Sequence, residues 1–403
     1  MRGRAMRELL VIRDAAVAVR DGRIVAVGRT RELRRAFRAD VELNAAGLTV
    51  IPGLVDAHTH LVFASEGFRP EELEMKISGL TYMEILARGG GIMRTVRATR
   101  AASLRKLARE CLERLDIMLL HGTTTVEAKS GYGLTTEDEL KCLRALKMAG
   151  EEHPVDLVPT FLGAHAIPPE YAREPDAYVE LLVEEMVPAV AERDLATFCD
   201  VFCEKGVFSP EQARRVLEAG LRHGLRPKLH ADEFTDTGGA RLAAELKAAS
   251  ASADHLLFAS EDGLRAMAEA GVVAVLLPAS PLTTLLGRFA DARKTIDQLG
   301  LAVALATDFN PNCPVESMLT VMALACYCMR MLPSEALTAA TLNAAHAIGL
   351  SGEVGSIEPG KKADLVLLDV PDHRHVGYRL GSNLVRYVIK AGELVVEDGQ
   401  LVR

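Results

Sequence analysis

Short apolar segments alternate with longer amphipathic ones through the middle of the chain, and this alternation predicts the fold. The apolar segments end near eight residues: His60, Lys129, His165, Glu204, His230, His255, Pro278 and Asp308. The intervening segments carry helix-start signals, because Thr136 with Glu139 and Ser209 with Gln212 both match a capping box. Eight strand–helix units predict an α/β fold, a parallel (β/α)8 barrel with its active site at the carboxyl ends of the strands.

The two ends of the chain show another pattern, in which short strands are separated by glycine turns. Residues 16–28 predict two strands around Asp21-Gly22, residues 388–401 repeat the pattern, and residues 362–369 predict a further strand. We expect both ends to build one small β-sandwich domain, residues 1–50 with 360–403, beside a barrel domain of residues 51–359. The apolar stretch 48–55 predicts a single buried strand that leads into the barrel.

Composition excludes several classes of protein. The chain has 403 residues, of which 49% are hydrophobic and 25% charged, as in soluble proteins with a large core. A net charge of −8 without a dense Lys/Arg face argues against nucleic acid or an anionic membrane as partner. The basic start lacks the apolar stretch of a signal peptide, and no apolar run is long enough to span a bilayer.

The seven cysteines are odd in number and lie mostly in apolar patterns, so we expect reduced thiols in a cytoplasmic protein. Cys326 and Cys328 could bind a metal, but their setting in an apolar helix favours packing.

His58 and His60 are the strongest chemical signal in the sequence. Residues two apart on a strand point to the same face, so both imidazoles can bind one metal ion. His230 and Asp308 follow the fifth and eighth predicted strands. Individually, His230 could be a cleft histidine and Asp308 a helix cap, but together the four predict one divalent ion. Three imidazoles and a carboxylate suit zinc or iron, and the sequence does not separate the two.

The surroundings of these ligands resemble the amidohydrolase superfamily, metal-dependent hydrolases with a distorted (β/α)8 barrel and a small β-sandwich. Residues 56–60, His230, His255 and Asp308 carry this resemblance. A closer similarity, to the imidazolonepropionase family, is carried by residues 89–92, 95–100, 126–134, 161–166, 200–204, 230–233 and 306–311. The resemblance implies a homodimer that hydrolyses the cyclic amide of 4-imidazolone-5-propanoate to N-formimidoyl-L-glutamate in histidine degradation.

The same resemblance implies roles for the catalytic groups. A water activated by the metal would attack the ring carbonyl, with Glu233 against that water and His255 over the carbonyl. Asp308 could take a proton while it binds the metal, and the division of proton transfers among the three stays open. The structural alternatives are a salt bridge for Glu233 and a buried, hydrogen-bonded role for His255.

The substrate's propanoate tail needs a carboxylate partner, and a guanidinium offers paired donors. Arg69 matches the family's substrate arginine, although the loop before it is longer than usual, so an exposed loop arginine is the alternative. Tyr132, His165 and Asn310 lie in strand-end loops and complete the expected substrate site. Tyr82 is a further candidate, for which a packing role is equally expected.

A second metal ion would need a bridging ligand. Binuclear relatives use a carboxylated lysine or a glutamate after the fourth strand. By our count Lys129 ends the second strand and Glu204 the fourth, so Glu204 is the candidate bridge; the resemblance favours one metal. The run Gly89-Gly90-Gly91 lacks the strand-to-helix context of a phosphate-binding loop and is interpreted as a mobile loop or tight turn.

Two other functions remain open from the sequence. Aromatic or nucleobase deaminases use a similar His/His/His/Asp site, and turnover of a nucleobase in place of the imidazolone would identify one. A non-catalytic amidohydrolase-like scaffold would be expected to lose ligands, and metal analysis separates it from a hydrolase.

Overall fold

The structure is a computed structural model that describes residues 1–80, 84–85, 90–246 and 252–402. Its strands, numbered in chain order, are β1 (Ala15–Arg20), β2 (Arg23–Arg29), β3 (Thr49–Pro52), β4 (Leu54–Thr59), β5 (Thr123–Lys129), β6 (Asp156–Ala164), β7 (Phe198–Cys203), β8 (Arg226–Ala231), β9 (Ser252–His255), β10 (Val273–Leu276), β11 (Val303–Leu305), β12 (Leu365–Leu368), β13 (Val385–Lys390), β14 (Glu393–Glu397) and β15 (Gln400–Leu401).

The α-helices are α1 (Thr30–Ala36), α2 (Pro70–Ile77), α3 (Ile92–Ala101), α4 (Leu104–Leu120), α5 (Thr136–Glu152), α6 (Pro175–Leu181), α7 (Val187–Ala191), α8 (Pro210–Arg222), α9 (Gly239–Glu245), α10 (Glu261–Ala270), α11 (Ala279–Thr283), α12 (Met318–Met329), α13 (Pro333–Ala339), α14 (Leu342–Ala347) and α15 (His375–Tyr378). A π-helical segment, Leu182–Met186, joins α6 to α7, and a second one, Lys294–Gln298, precedes β11.

Strands β4 to β11 form one eight-stranded sheet in chain order, and each neighbouring pair is parallel. Helices lie between successive strands and cover the sheet, so strands such as β4 and β5 are buried at every residue. The expected distorted (β/α)8 barrel is confirmed. Its strands end close to the residues that the hydrophobic pattern indicated.

The barrel closes between β4 and β11 at their carboxyl ends. There the Asp308 amide donates to the His58 carbonyl (3.1 Å), and the His60 amide donates to the Phe309 carbonyl (2.8 Å). Thr59 and Phe309 form a parallel bridge at the same place. The backbone that closes the barrel therefore carries three of the predicted metal ligands.

The prediction of one strand over residues 48–55 is wrong, because the chain changes sheets at Gly53. β3 pairs antiparallel with β12, whereas β4 enters the barrel. The Gly53 amide donates to the Asp364 carbonyl at 2.8 Å. A Cβ on Gly53 would lie 2.2 Å from Thr124 Oγ1, so this close approach requires glycine.

The chain ends build β-structure beside the barrel, as expected. A five-stranded antiparallel sheet has the order β15-β14-β13-β12-β3, and β1 with β2 forms a separate hairpin. Its turn residues, Asp21 and Gly22, both have positive φ, as a two-residue hairpin turn requires. The hairpin joins the C-terminal segment where the Ile24 amide donates to Lys361 (2.9 Å) and the Ala363 amide to Gly22 (2.8 Å).

The N-terminal turn Gly3–Arg7 lies against the barrel segment of the chain. The Gly3 amide donates to the Leu301 carbonyl (2.9 Å), and Arg7 Nε to Glu335 Oε1 (2.7 Å). The division into domains at residues 50 and 360 stays a prediction.

The two predicted capping boxes have different outcomes. The box at Ser209 is confirmed, with Gln212 as its partner. The one at Thr136 is wrong: the N-cap of α5 is Thr135, whose side chain accepts from the Asp138 amide. Glu139 is not used as a cap, because its carboxylate turns back to the loop before the helix.

No helix among the described residues has both the length and the apolar character needed to cross a bilayer. All seven cysteines are free. Cys326 and Cys328 are half-buried on α12 and pack against the hydrophobic core, in line with the packing role expected for them.

Candidate metal centre and active site

Four side chains converge inside the carboxyl end of the barrel: His58 and His60 from β4 and the residue after it, His230 from β8, and Asp308 after β11. Asp308 Oδ1 lies 3.4 Å from His58 Nε2 and 3.5 Å from His60 Nε2. His60 Nε2 lies 3.3 Å from His230 Nε2. Ligands bound tetrahedrally at zinc's usual distances stand about 3.3 Å apart, so these separations fit one shared ion.

The protonation state of the imidazoles also suits the binding of a cation. Burial lowers the pKa of His58 and of His60 well below the usual histidine value, so both rings are neutral at neutral pH. Among the described residues, His58 Nε2, the nitrogen that faces Asp308, is buried without a hydrogen-bond partner. An unpartnered buried nitrogen is costly unless something binds it. The donor set therefore fits a divalent metal ion.

Two buried carboxylates, Asp254 and Asp200, orient the candidate histidine ligands. Neither role was predicted from the sequence. Asp254 Oδ2 accepts from His58 Nδ1 at 2.6 Å, which leaves His58 Nε2 facing the site. Asp200 Oδ2 lies 3.1 Å from His230 Nδ1. Carboxylates behind metal-binding histidines fix the tautomer and the ring direction. Only their positions in the sequence could have indicated these roles, since Asp254 precedes His255 and Asp200 lies in a family-like motif.

Glu233 and His255 face this centre. Glu233 is buried after β8, and its Oε1 lies 3.6 Å from His255 Nδ1. Burial, helped by the Asp308 and Glu204 charges, raises the pKa of Glu233 well above its usual value. Burial lowers the pKa of His255 well below the usual value and raises that of Asp308 to about 7. Of these three groups, Asp308 is the one whose pKa lies near neutral pH.

Backbone strain accompanies the catalytic candidates. His255 has φ 75° and Asp308 φ 55°, in the left-handed region that residues other than glycine rarely adopt. Such conformations persist where the surrounding structure holds them, and they cluster at functional sites.

His165 and Tyr132 form one wall of the site. The His165 ring stacks on His60, with centroids 4.8 Å apart and planes inclined by 17°, and the Tyr132 ring lies 5.2 Å from it. His165 Nδ1 is 3.0 Å from the Gly131 carbonyl, so this nitrogen carries the proton. Burial, and then His230, lower the pKa of His165 to about 3. A neutral imidazole thus faces the metal centre.

Glu139 fixes the loop that carries Tyr132, and sequence reasoning did not identify this role. Its buried carboxylate accepts from three backbone amides, at 3.0 Å from Gly131, 2.7 Å from Gly133 and 2.8 Å from Leu134. Burial raises the pKa of Glu139.

Arg69 is not the exposed loop arginine of the alternative interpretation. It is 7% exposed, and its Nε lies 3.6 Å from Glu72 Oε2. Among the described residues, its Nε and Nη1 have no hydrogen-bond partner. Arg69 follows Phe68, whose ring lies 6.5 Å from that of Phe309, the neighbour of Asp308. Tyr82 and Gly89 lie outside the described residues.

Asn310 is engaged within its own loop. Its Nδ2 donates to the Asp308 carbonyl at 2.7 Å, and its Oδ1 accepts from the amides of Asn312 (2.7 Å) and Cys313 (3.1 Å). It therefore shapes the Asp308 loop, and direct contact with a substrate stays a prediction.

Lys129 and Glu204 end the second and fourth barrel strands, as expected. Lys129 Nζ pairs with Glu127 and Asp200, each at 2.8 Å. Glu204 accepts from the amides of Lys205 (2.8 Å), Phe234 (2.9 Å) and Thr235 (3.3 Å), and from the Thr235 hydroxyl. Glu204 therefore holds the loop next to Glu233.

Sequence comparison shows what the chain is similar to. The model of the amidohydrolase family matches residues 49–395, and that of the imidazolonepropionase-like composite domain of bacteria matches residues 15–39. A protein of Brevibacillus brevis named imidazolonepropionase is 53% identical over 99% of this chain and 94% of its own length. One of Geobacillus kaustophilus with the same name is 54% identical over 98% of this chain and 93% of its own.

Structural comparison supports the fold. The crystal structure of an adenosine deaminase from Xanthomonas campestris with bound zinc superimposes with a TM-score of 0.70 at 23% identity, covering 98% of this chain and 90% of the other. The match to the two relatives, in which about half of all residues are identical over nearly the whole chain, is far more specific than this similarity of fold. The chain belongs to the amidohydrolase family and, within it, to the imidazolonepropionases.

Proposed function

We propose that this protein hydrolyses the cyclic amide bond of 4-imidazolone-5-propanoate to give N-formimidoyl-L-glutamate. The observation that carries the proposal is the identity of about half of all residues, over nearly the whole chain, with relatives named imidazolonepropionase. Two overlapping groups of buried side chains that could hold a metal ion support it, His58 with His60 and Asp308, and His58 with His230 and His255. A hydrolase of this family needs a metal site at that end of the barrel.

His58, His60, His230 and Asp308 would hold one divalent ion, zinc or iron. When bound, such an ion polarises a carbonyl oxygen and lowers the pKa of a water molecule. The hydrogen bonds that Glu204 already accepts support a single-ion site, since the candidate bridge is engaged with the loop after β8. Zinc in a structure of the same fold makes it the first ion to test.

The acid–base work falls to Glu233, His255 and Asp308. Hydrolysis forms a bond from water oxygen to the ring carbonyl carbon and breaks the bond from that carbon to the ring nitrogen. One water proton must reach the departing nitrogen. Glu233 Oε1 and His255 Nδ1, 3.6 Å apart, can relay that proton, and Asp308 is a second carboxyl able to accept it.

The substrate's carboxylate tail would bind Arg69, whose buried Nε and Nη1 lack protein hydrogen bonds among the described residues. Tyr132 and His165 would line the ring, and Asn310 would hold the Asp308 loop. Tyr82 remains a predicted contributor.

The test is turnover by the purified, zinc-loaded protein. We expect it to convert freshly prepared 4-imidazolone-5-propanoate to N-formimidoyl-L-glutamate, identified by mass spectrometry, and to leave cytosine and guanine unchanged. Asp308→Asn, which keeps the shape of the ligand but not its charge, serves as the inactive control. Turnover of a nucleobase without any of the imidazolone would overturn the proposal in favour of a deaminase.

We also propose that the protein acts as a cytoplasmic homodimer on a small molecule, without nucleic acid or membrane partners. The seven free thiols and the net charge of −8 support this setting. Sedimentation of the purified protein tests the dimer.

A further inference from the structure

A cluster of buried charges lies among the barrel strands behind the metal centre. It consists of five side chains with no exposed surface: Glu127, Lys129, Asp200, Lys228 and Asp254. Burying a charge is costly unless it is paired and hydrogen-bonded. The charges of this cluster are paired with one another, Lys129 with Glu127 and Asp200, and Lys228 with Asp254.

Lys129 is the member that touches both carboxylates behind the histidines. Its Nζ lies 2.8 Å from Asp200 Oδ2 and 3.9 Å from Asp254 Oδ2. The same Asp200 oxygen is 3.1 Å from His230 Nδ1, and the same Asp254 oxygen is 2.6 Å from His58 Nδ1. One ammonium group thus lies behind two proposed ligands that belong to different strands.

Lys228, the other lysine of the cluster, makes different contacts. Its Nζ lies 3.5 Å from Asp254 Oδ2 and donates to Ser252 Oγ at 2.7 Å and to the Ala57 carbonyl at 3.3 Å. These contacts place it on the His58 side of the cluster. Of the two lysines, Lys129 alone contacts Asp200 among the described residues, so Lys129 connects the two sides.

We propose that Lys129 is a positioning residue, which sets the direction of the His58 and His230 imidazoles together by holding Asp254 and Asp200. The physical reason is electrostatic repulsion. Without the Lys129 ammonium group, Asp200 and Glu127 would lose their lysine partner and Asp254 would keep only Lys228, so the carboxylates would repel one another more strongly in a poorly screened interior. Their rotation would turn both rings away from the shared ion. This inference rests on the proposed metal centre.

The chain offers a matched control in Lys390. Its buried Nζ also lies between two carboxylates, 2.7 Å from Asp156 and 2.7 Å from Asp364, in the five-stranded sheet. Neither carboxylate contacts a proposed ligand. Lys390→Met therefore reproduces the general cost of removing a buried lysine, without affecting the carboxylates behind the histidines.

The experiment measures zinc affinity directly. Zinc-loaded wild type, Lys129→Met and Lys390→Met are equilibrated with a graded series of a chelator of known zinc affinity, and retained zinc is determined by elemental analysis. We expect Lys129→Met to bind zinc about 10- to 100-fold more weakly, the usual cost of losing a group that orients metal ligands. Lys390→Met should stay within about twofold of wild type, since no ligand depends on it.

Near-ultraviolet circular dichroism checks that each variant is folded. Equal zinc affinity in the two lysine variants would overturn the inference. If Lys129→Met does not fold, Asp200→Asn decides, because it keeps the side-chain shape while removing the charge between Lys129 and His230. Unchanged zinc affinity in Asp200→Asn would then refute the positioning role. A wild type that retains no zinc would instead refute the metal centre itself.

Discussion

His255 Nδ1 and Glu233 Oε1 lie 3.6 Å apart across the candidate active site. Burial shifts the pKa values of these two side chains in opposite directions. The pKa of Glu233 is raised and that of His255 lowered, so burial favours the uncharged form of each group in the metal-free protein. Two groups that favour their uncharged forms argue against a salt bridge, which was the structural alternative for Glu233.

Removal of His255 should slow the reaction without releasing the metal. We expect His255→Ala to lower kcat about 100-fold or more, the usual scale for a lost acid–base group. Metal content by elemental analysis should stay at one ion per chain. His223→Ala, at the exposed C-cap of α8, is the control and should retain wild-type activity. Loss of the metal would identify His255 as a ligand, which its place in a group with His58 and His230 permits.

Replacing Glu233 by glutamine should reduce activity and change how stability depends on pH. The folded protein holds this proton more tightly than the unfolded chain, so the contribution of Glu233 to the stability of wild type decreases as pH rises above about 4.5. Glutamine has no proton to release. The melting temperature of metal-free Glu233→Gln relative to wild type should therefore be higher at pH 8 than at pH 5, while kcat falls about 100-fold. A pH-independent difference in melting temperature would contradict the raised pKa.

Arg69 should act mainly on substrate binding. Arg69→Lys keeps the charge but removes the paired donors that match a carboxylate, so we expect KM to rise about 10-fold or more with a smaller change in kcat. Steady-state kinetics on 4-imidazolone-5-propanoate measures both. Arg94→Lys, whose guanidinium pairs with Glu71 at 3.0 Å on the surface, is the matched control. An unchanged KM in Arg69→Lys would remove Arg69 from the substrate site.

Glu139 should matter through the Tyr132 loop. Glutamine at this position would turn an amide NH2 towards backbone amides that need an acceptor, and a buried unsatisfied donor costs about 1–3 kcal/mol. We expect Glu139→Gln to lower the melting temperature and raise KM, with zinc content unchanged. The exposed Glu137→Gln, on the same helix, should leave both properties unchanged. Loss of zinc would show that the loop also supports the metal centre.

The metal-free protein should be sensitive to acid. Buried imidazoles, His58, His60 and His255 among them, have pKa values well below 6.5 in the folded state, whereas the unfolded chain takes up protons near that pH. The unfolded state therefore binds more protons as pH falls below about 6.5, and the free energy of unfolding decreases. Thermal melting of the metal-free protein at pH 7.5, 6.5 and 5.5 measures this. A constant melting temperature across that range would contradict the buried, neutral state of the rings.

The sequence determined the barrel and the candidate ligands because those signals are local. Alternation of apolar segments with helix starts marks eight strand–helix units, and a spacing of two places His58 and His60 on one face. His230 and Asp308 were identified because they lie at strand ends, where polar residues replace apolar ones. The prediction of one strand through Gly53 was wrong because the deciding contact is not local. The apolar run is continuous, and only the pairing with β12 shows that the chain changes sheets.

The tertiary structure decided what surrounds those ligands. Asp254 behind His58, Asp200 behind His230 and Lys129 between the carboxylates lie on different strands, separated by up to 196 positions between Asp254 and His58. No periodicity within one segment encodes such contacts, because they depend on which side chains the closed barrel brings together in its interior. The same holds for Glu139, which the sequence marked as a helix cap and the fold uses to hold the Tyr132 loop.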